Sequence, residues 1–256
     1  MELLSAIGFV FAISALSVAG LILVRRRVHH GALTKHNDVG GIMFSIVGTL
    51  YAVMLAFVVI VVWEALGEAD ERAALEAGIL GDLMRDAGFL PDPIRTELQN
   101  ELRSYAQGVI DEEWPAMATG GSADHVWGAL DGIFRSFSRI VPADDRETNI
   151  HREMLARINE LSDHRRLRLL SATNKVPSLM WMMLIVGGVI TIGFSFFLGV
   201  EKQKAHVLMT AALAAMIALT LYMIVAIDHP FAGTIRVEPD AFRLVLDKIG
   251  PVNYLR

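Results

Sequence analysis

Residues 41–63 read GIMFSIVGTLYAVMLAFVVIVVW, 23 residues with no charge and no proline. At about 1.5 Å per residue a helix of this length reaches roughly 34 Å, enough to cross a bilayer. The run continues without a breaker into EALGEADERAALEAGILGDLMRDAG, where charges appear at once. One helix is therefore expected to leave the membrane and enter an aqueous domain, spanning 42–87 without a break.

Three further apolar blocks lie at 3–24, 178–199 and 207–227. Like 41–63, none contains Asp, Glu, Lys, Arg or His. They account for the mean hydropathy of +0.46 and the 54% hydrophobic content. Each has the length of a membrane helix. Residues 3–24 read as a retained first span rather than a signal peptide, because Arg25, Arg26 and Arg27 follow the apolar run and no basic residue precedes it. The expected fold is an all-α membrane protein. It has a transmembrane hairpin at 1–63, a helical bundle at 64–176, a second hairpin at 177–227 and an interfacial tail at 228–256.

The net charge of −5 is concentrated in the bundle segment, where 21 acidic residues face 13 basic ones. That balance argues against nucleic acid as a partner. The chain has no cysteine, which excludes disulfides and thiolate-bound metals. His29, His30 and His36 sit in a basic loop without helical register or a carboxylate partner, so no metal is expected there. Glycine-rich phosphate loops, HExxH and GxSxG are all missing, which speaks against an enzyme. No cofactor is implied. A coupled transporter is also disfavoured, since the four blocks hold no ionisable residue.

Within 64–176 the apolar spacing is helical throughout. GFLPDP ends the long helix, Asp92 is a candidate N-cap with Pro93 behind it, and the next helix should run to Trp114. Residues 115–122, with Gly120 and Gly121, read as a loop. Val126, Leu130, Ile133, Phe134 and Phe137 mark a third helix. Asp144 or Asp145 caps a fourth, striped by Ile150, Met154, Ile158 and Leu161. The run Asp111, Glu112, Glu113 reads as a solvated face. Pro239 and Asp240 could start a short amphipathic helix through Phe242, Leu244, Val245 and Ile249.

Small and hydroxyl residues mark the candidate functional positions. Gly41, Ser45, Gly48, Ala52 and Ala56 fall within roughly 80° of arc at about 100° per residue, with Thr49 beside them. Such a stripe serves close helix packing or lines a pore. Gly188, Thr191, Ser195 and Gly199 form a similar face on the third span, and Thr210, Ala214 and Ala218 one on the fourth. Arg165, Arg166, Arg168 and Lys175 precede the third span. They could anchor to lipid headgroups or ring a pore mouth.

Several segments resemble a bestrophin-like family of bacterial membrane proteins. They are GTLYAVMLAFVVIVVWE at 48–64, EA at 76–77, the run from Tyr105 to Trp114 ending in EEWP, VPSLMW at 176–181 and DHPFAG at 228–233. The resemblance covers about residues 38–245. Bestrophins are pentameric anion channels with four spans and a helical cytosolic region, so it implies that the second span is the pore helix. The aromatic neck and the acidic calcium clasp of bestrophins have no recognisable counterpart here.

The functional expectation is a homo-oligomeric ion channel in the cell's inner membrane, with lipid and inorganic ions as partners. The alternative is a membrane-anchored sensory or scaffold protein whose bundle binds a partner. The basic short loops at 25–40 and 200–206 point to the cytoplasm, which puts the bundle and both termini outside it.

Overall fold

The computed structural model describes residues 2–28, 37–233 and 235–248. His29, His30, Lys35, His36 and Ile249 lie outside them. All regular structure among the described residues is helical. In chain order the helices are α1 (Glu2–Arg27), α2 (Asn37–Asp86), α3 (Ile94–Gly108), α4 (Trp114–Met117), α5 (Asp124–Ser138), α6 (Asp145–Thr173), α7 (Ser178–Ser195), α8 (Gln203–Ile227) and α9 (Asp240–Lys248). Four helical stretches are long and apolar enough to cross a membrane.

The expected long helix is one element. α2 runs 50 residues without a break, about 75 Å at the standard rise. Its buried positions shift in chemistry along its length. They are Tyr51, Leu55, Val58 and Val62 in the apolar half, then Ala69, Ala73, Glu76, Leu80 and Leu83.

Contacts divide the chain into two compact units. The first joins Met1–Trp63 to Lys175–Asp228, and the second joins Glu64–Asn174 to His229–Arg256. In the first unit α1 and α8 lie side by side in opposite directions. Ser5 Oγ and Tyr222 Oη are 2.9 Å apart near one end, and Arg25 meets His206 at the other. Gly20 admits the Phe196 ring, which leaves only 3.0 Å for an added Cβ. Thr210, Ala214 and Ala218 are all buried. Asp228 accepts from the Val176 backbone N–H at 2.7 Å and from Trp181 Nε1 at 3.4 Å, tying the end of α8 to the entry of α7.

The second unit is a helical bundle around Leu80, Leu83, Leu98, Leu102, Ile133, Ile158 and their neighbours, with Phe242 of α9 inserted. Two local features depart from expectation. Asp92 does not cap α3. Its carboxylate takes the Thr96 hydroxyl at 2.9 Å and pairs with Arg95, and the turn opens instead on the Pro91 carbonyl, which accepts from Arg95 N–H. The second is that the helix does not stop at Trp114. It widens into a π-turn over Val109–Glu113 and continues as α4 to Met117. Pro115 follows the wide turn directly, where the missing N–H and the ring cost least. At α6 the expected cap forms. Asp144 Oδ1 accepts from Glu147 N–H at 2.7 Å, and Glu147 Oε2 accepts from Ala143 N–H at 2.7 Å.

Candidate functional site: two small-residue faces and a buried ion network

The stripe on α7 is filled from within the protomer. Gly188, Thr191 and Ser195 are buried. The Tyr51 ring of α2 lies across the glycines: a Cβ at Gly187 would sit 2.6 Å from a ring carbon, and one at Gly188 2.9 Å from the phenol oxygen. Tyr51 Oη donates to the Leu184 carbonyl at 3.0 Å. Thr191 Oγ1 and Ser195 Oγ donate to carbonyls of their own helix, Gly187 at 2.8 Å and Ile192 at 2.6 Å. Gly199 lies beyond the helix, where its N–H and C=O are both held by the Asn37 side chain.

The stripe on α2 is open. Ser45, Thr49, Ala52 and Ala56 are exposed, Gly41 and Gly48 half-buried. A Cβ added at Gly41 or Gly48 meets nothing within 4 Å. Ser45 Oγ donates to the Gly41 carbonyl at 2.9 Å. The buried Tyr51, Leu55, Val58 and Val62 lie on the neighbouring face of the same helix, about a quarter turn away. The protomer thus packs one face of its second span and leaves uncovered both the small-residue stripe and a broad apolar face that includes Ile42, Leu50, Val53 and Phe57.

The four basic candidates split in two. Arg166 and Lys175 are exposed, and Arg166 pairs with Asp163. Arg165 and Arg168 are 1% and 0% exposed and so are unavailable to headgroups. They point into the bundle, where they meet Glu76 of α2 and Glu113 at the end of the π-turn. Arg168 Nε and Nη2 donate to Glu76 at 2.7 and 3.0 Å, and Nη2 also donates to Glu113 at 2.7 Å. Arg165 donates to both Glu113 oxygens, at 3.2 and 2.5 Å. Tyr105 Oη donates to Glu76 at 2.6 Å. The half-exposed Trp127 ring roofs Arg165, its centroid 3.9 Å from the guanidinium carbon.

Burial pushes the Glu113 carboxyl up, but the Arg165 hydrogen bonds and the Arg168 and Arg165 charges outweigh it and hold it below its usual range. Burial, followed by the Glu76 charge, pushes the Tyr105 phenol well up. For Arg168, burial disfavours the cation, and the Glu76 carboxylate overrides it and raises the guanidinium further.

Glu113 was expected on a solvated face. Only Asp111 and Glu112 are there, bonded to Gln107 and His125. The π-turn supplies the extra rotation that turns the third acid inward. Glu112, His125 and Ser104 form a hydrogen-bonded chain, with His125 2.7 Å from Glu112 and 3.3 Å from Ser104. It is about half exposed, and water screens the carboxylate that an activated nucleophile would need dry.

The sequence did carry a signal for the network. Ala69, Ala73, Glu76, Leu80 and Leu83 keep core spacing with one acid among them, and Leu161, Arg165, Arg168 and Ala172 keep it with two bases. Opposite charges at core positions of two helices mark a buried pair.

Four helices long and apolar enough to cross a membrane, together with a bundle held by internal ion pairs, define an all-helical integral membrane protein. A family model for the Bestrophin-like domain matches residues 11–242, and the chain belongs to that family. No curated protein matches. Among solved structures, two single-substitution variants of a bacterial bestrophin homologue from Klebsiella pneumoniae resemble it. Their TM-scores are 0.68 and 0.68 at 14% and 15% identity, covering 93% and 94% of this chain and 99% of each of theirs. A crystal structure described as a membrane protein variant aligns with a TM-score of 0.67 at 15% identity, covering 94% of this chain and 98% of that one. At these identities the likeness is one of fold.

Proposed function

We propose that the protein is a homo-oligomeric ion channel of the inner membrane, with copies of α2 side by side around a conduction path. The observation that carries this reading is the open face of α2. Among the described residues, Gly41, Ser45, Gly48, Thr49, Ala52 and Ala56 meet no partner surface, while the adjoining face with Tyr51, Leu55, Val58 and Val62 is packed. A lone span facing lipid gains nothing from small residues and hydroxyls. A span facing its own copies gains close approach from Gly41 and Gly48, and a span facing water gains room and hydrogen-bonding groups from Ser45 and Thr49. Membership of a bestrophin-like family supports the same reading. Ions would pass without coordination by charge, since the apolar stretch 41–63 contains none.

Single-channel recording of purified protein in planar bilayers tests this. Discrete current steps that shrink in Gly48→Leu protein support it. Silent bilayers with well-folded, oligomeric protein contradict it and leave the scaffold role. The basic short loops favour a cytoplasmic position for themselves and an outside position for the bundle. A reporter fused after Ser122 should then be active outside the cytoplasm, and cytoplasmic activity reverses the orientation.

A further inference from the structure

At the end of the first unit opposite Tyr222, one histidine joins three chain segments. His206, 3% exposed in the first turn of α8, holds the Ser195 carbonyl with Nε2 at 3.0 Å and meets Arg25 Nη1 with Nδ1 at 3.2 Å. A carbonyl oxygen only accepts and a guanidinium only donates. The ring can satisfy both partners in one form alone: neutral, with its hydrogen on Nε2 and a lone pair on Nδ1. Arg25 uses its other nitrogen, Nη2, to donate to the Val200 carbonyl at 3.1 Å. The Asn37 side chain holds the neighbouring Gly199 independently.

We infer that His206 is an acid-sensitive latch that ties the end of α1 to the turn between α7 and α8 and releases it when the imidazole takes up a proton. The proton would come from water and bind Nδ1. That places an N–H against the Arg25 N–H and a second positive charge beside the first in a part-buried site, which drives Arg25 away from His206 and draws it off Val200. The Ser195 bond survives, because Nε2 keeps its hydrogen, and the Asn37 pair with Gly199 survives because neither partner titrates. The released element is α1 alone.

Among the described residues, the charged group against the ring is Arg25 from α1, and α7 supplies none. Arg26, Arg27, Glu201, Lys202, Lys204 and Asp38 lie at the same end and are exposed. This inference is independent of conduction and stands or falls without it.

The chain has no cysteine, which allows site-directed spin labels at Arg27→Cys and Lys204→Cys in full-length protein in lipid nanodiscs, diluted with unlabelled protein. One narrow distance is expected at about pH 8, and a shift to a longer, broader one at about pH 5. His206→Gln, whose amide can donate to Ser195 and accept from Arg25, should keep the narrow distance at both. Arg25→Gln should show the longer distance at both. His29, His30 and His36 are unchanged in every variant, so their titration cancels in the comparison. A wild-type distance that ignores pH, or a shift that persists in His206→Gln protein, overturns the latch.

Discussion

In the helical bundle, Glu76, Glu113, Arg165 and Arg168 are all at or below 1% exposure, and each carboxylate is met by at least one guanidinium. In the first unit the buried hydroxyls of Ser17, Thr191 and Ser195 bond to their own helix, and the small-residue face of α2 stays uncovered. The bundle pairs its buried carboxylates within one chain, and leaves Arg165 Nη1 and His164 Nδ1 without a hydrogen-bond partner among the described residues. The spans bond several of theirs locally, leave the Ser14 and Thr210 hydroxyls without a partner among the described residues, and leave the small-residue face of α2 uncovered. The difference follows from the surroundings. An unpaired charge in the bundle core would have no alternative partner, whereas a glycine or serine in a span costs little wherever it points.

The largest effect that can break this contrast is in the bundle. Glu113→Ala leaves Arg165 without its carboxylate and Arg168 with one partner fewer, and removing one member of a buried pair typically costs about 3–5 kcal/mol. Thermal melting in detergent should show that loss, while a cost near zero would mean that water reaches the site. Acid should act in the same direction. Glu113 is held below its usual value, so its contribution is present above that value and is lost as the pH falls through the lowered one, beginning below about 4.5.

Next comes the filled stripe. Gly188→Leu drives bulk into the Tyr51 phenol, and overpacking of this kind costs about 1–3 kcal/mol. An unchanged melting temperature would show that the α2–α7 contact is loose. Smaller again is Tyr51→Phe, which removes the bond to the Leu184 carbonyl and should cost about 0.5–1.5 kcal/mol. Gly48→Leu is the smallest for the protomer fold. With nothing within 4 Å of the added Cβ, melting should not move, and the effect should appear only in assembly or conductance. A large fold defect there would mean that the two stripes are not different in kind.

The spans and the long helix were legible because each rests on a local property: 23 uncharged residues at 41–63, or the lack of a breaker before Ala87. The π-turn was not. It shifts register by one residue, and no composition signal marks it beyond Pro115 following three acids. For that reason Glu113 read as solvated, and Arg165 and Arg168 read as partners of the membrane. Their true partners lie 52 and 92 residues away along the chain, a distance that spacing on a single helix does not reveal. The two small-residue stripes looked alike in sequence for the same reason, since only the position of Tyr51 tells the filled one from the open one.

The central claim is that the open face of α2 meets water in the assembled protein. In the cysteine-free chain, Ser45→Cys and Thr49→Cys would be exposed in membranes to a charged, water-soluble thiol reagent beside Val58→Cys and Thr191→Cys, whose native residues are 4% and 2% exposed. The thiolate that reacts forms only where water reaches it. The account predicts fast labelling at 45 and 49 and none at 58 and 191. Positions 45 and 49 as inert as 58, in protein that is folded and assembled, would contradict a conducting face and leave α2 as a packing helix.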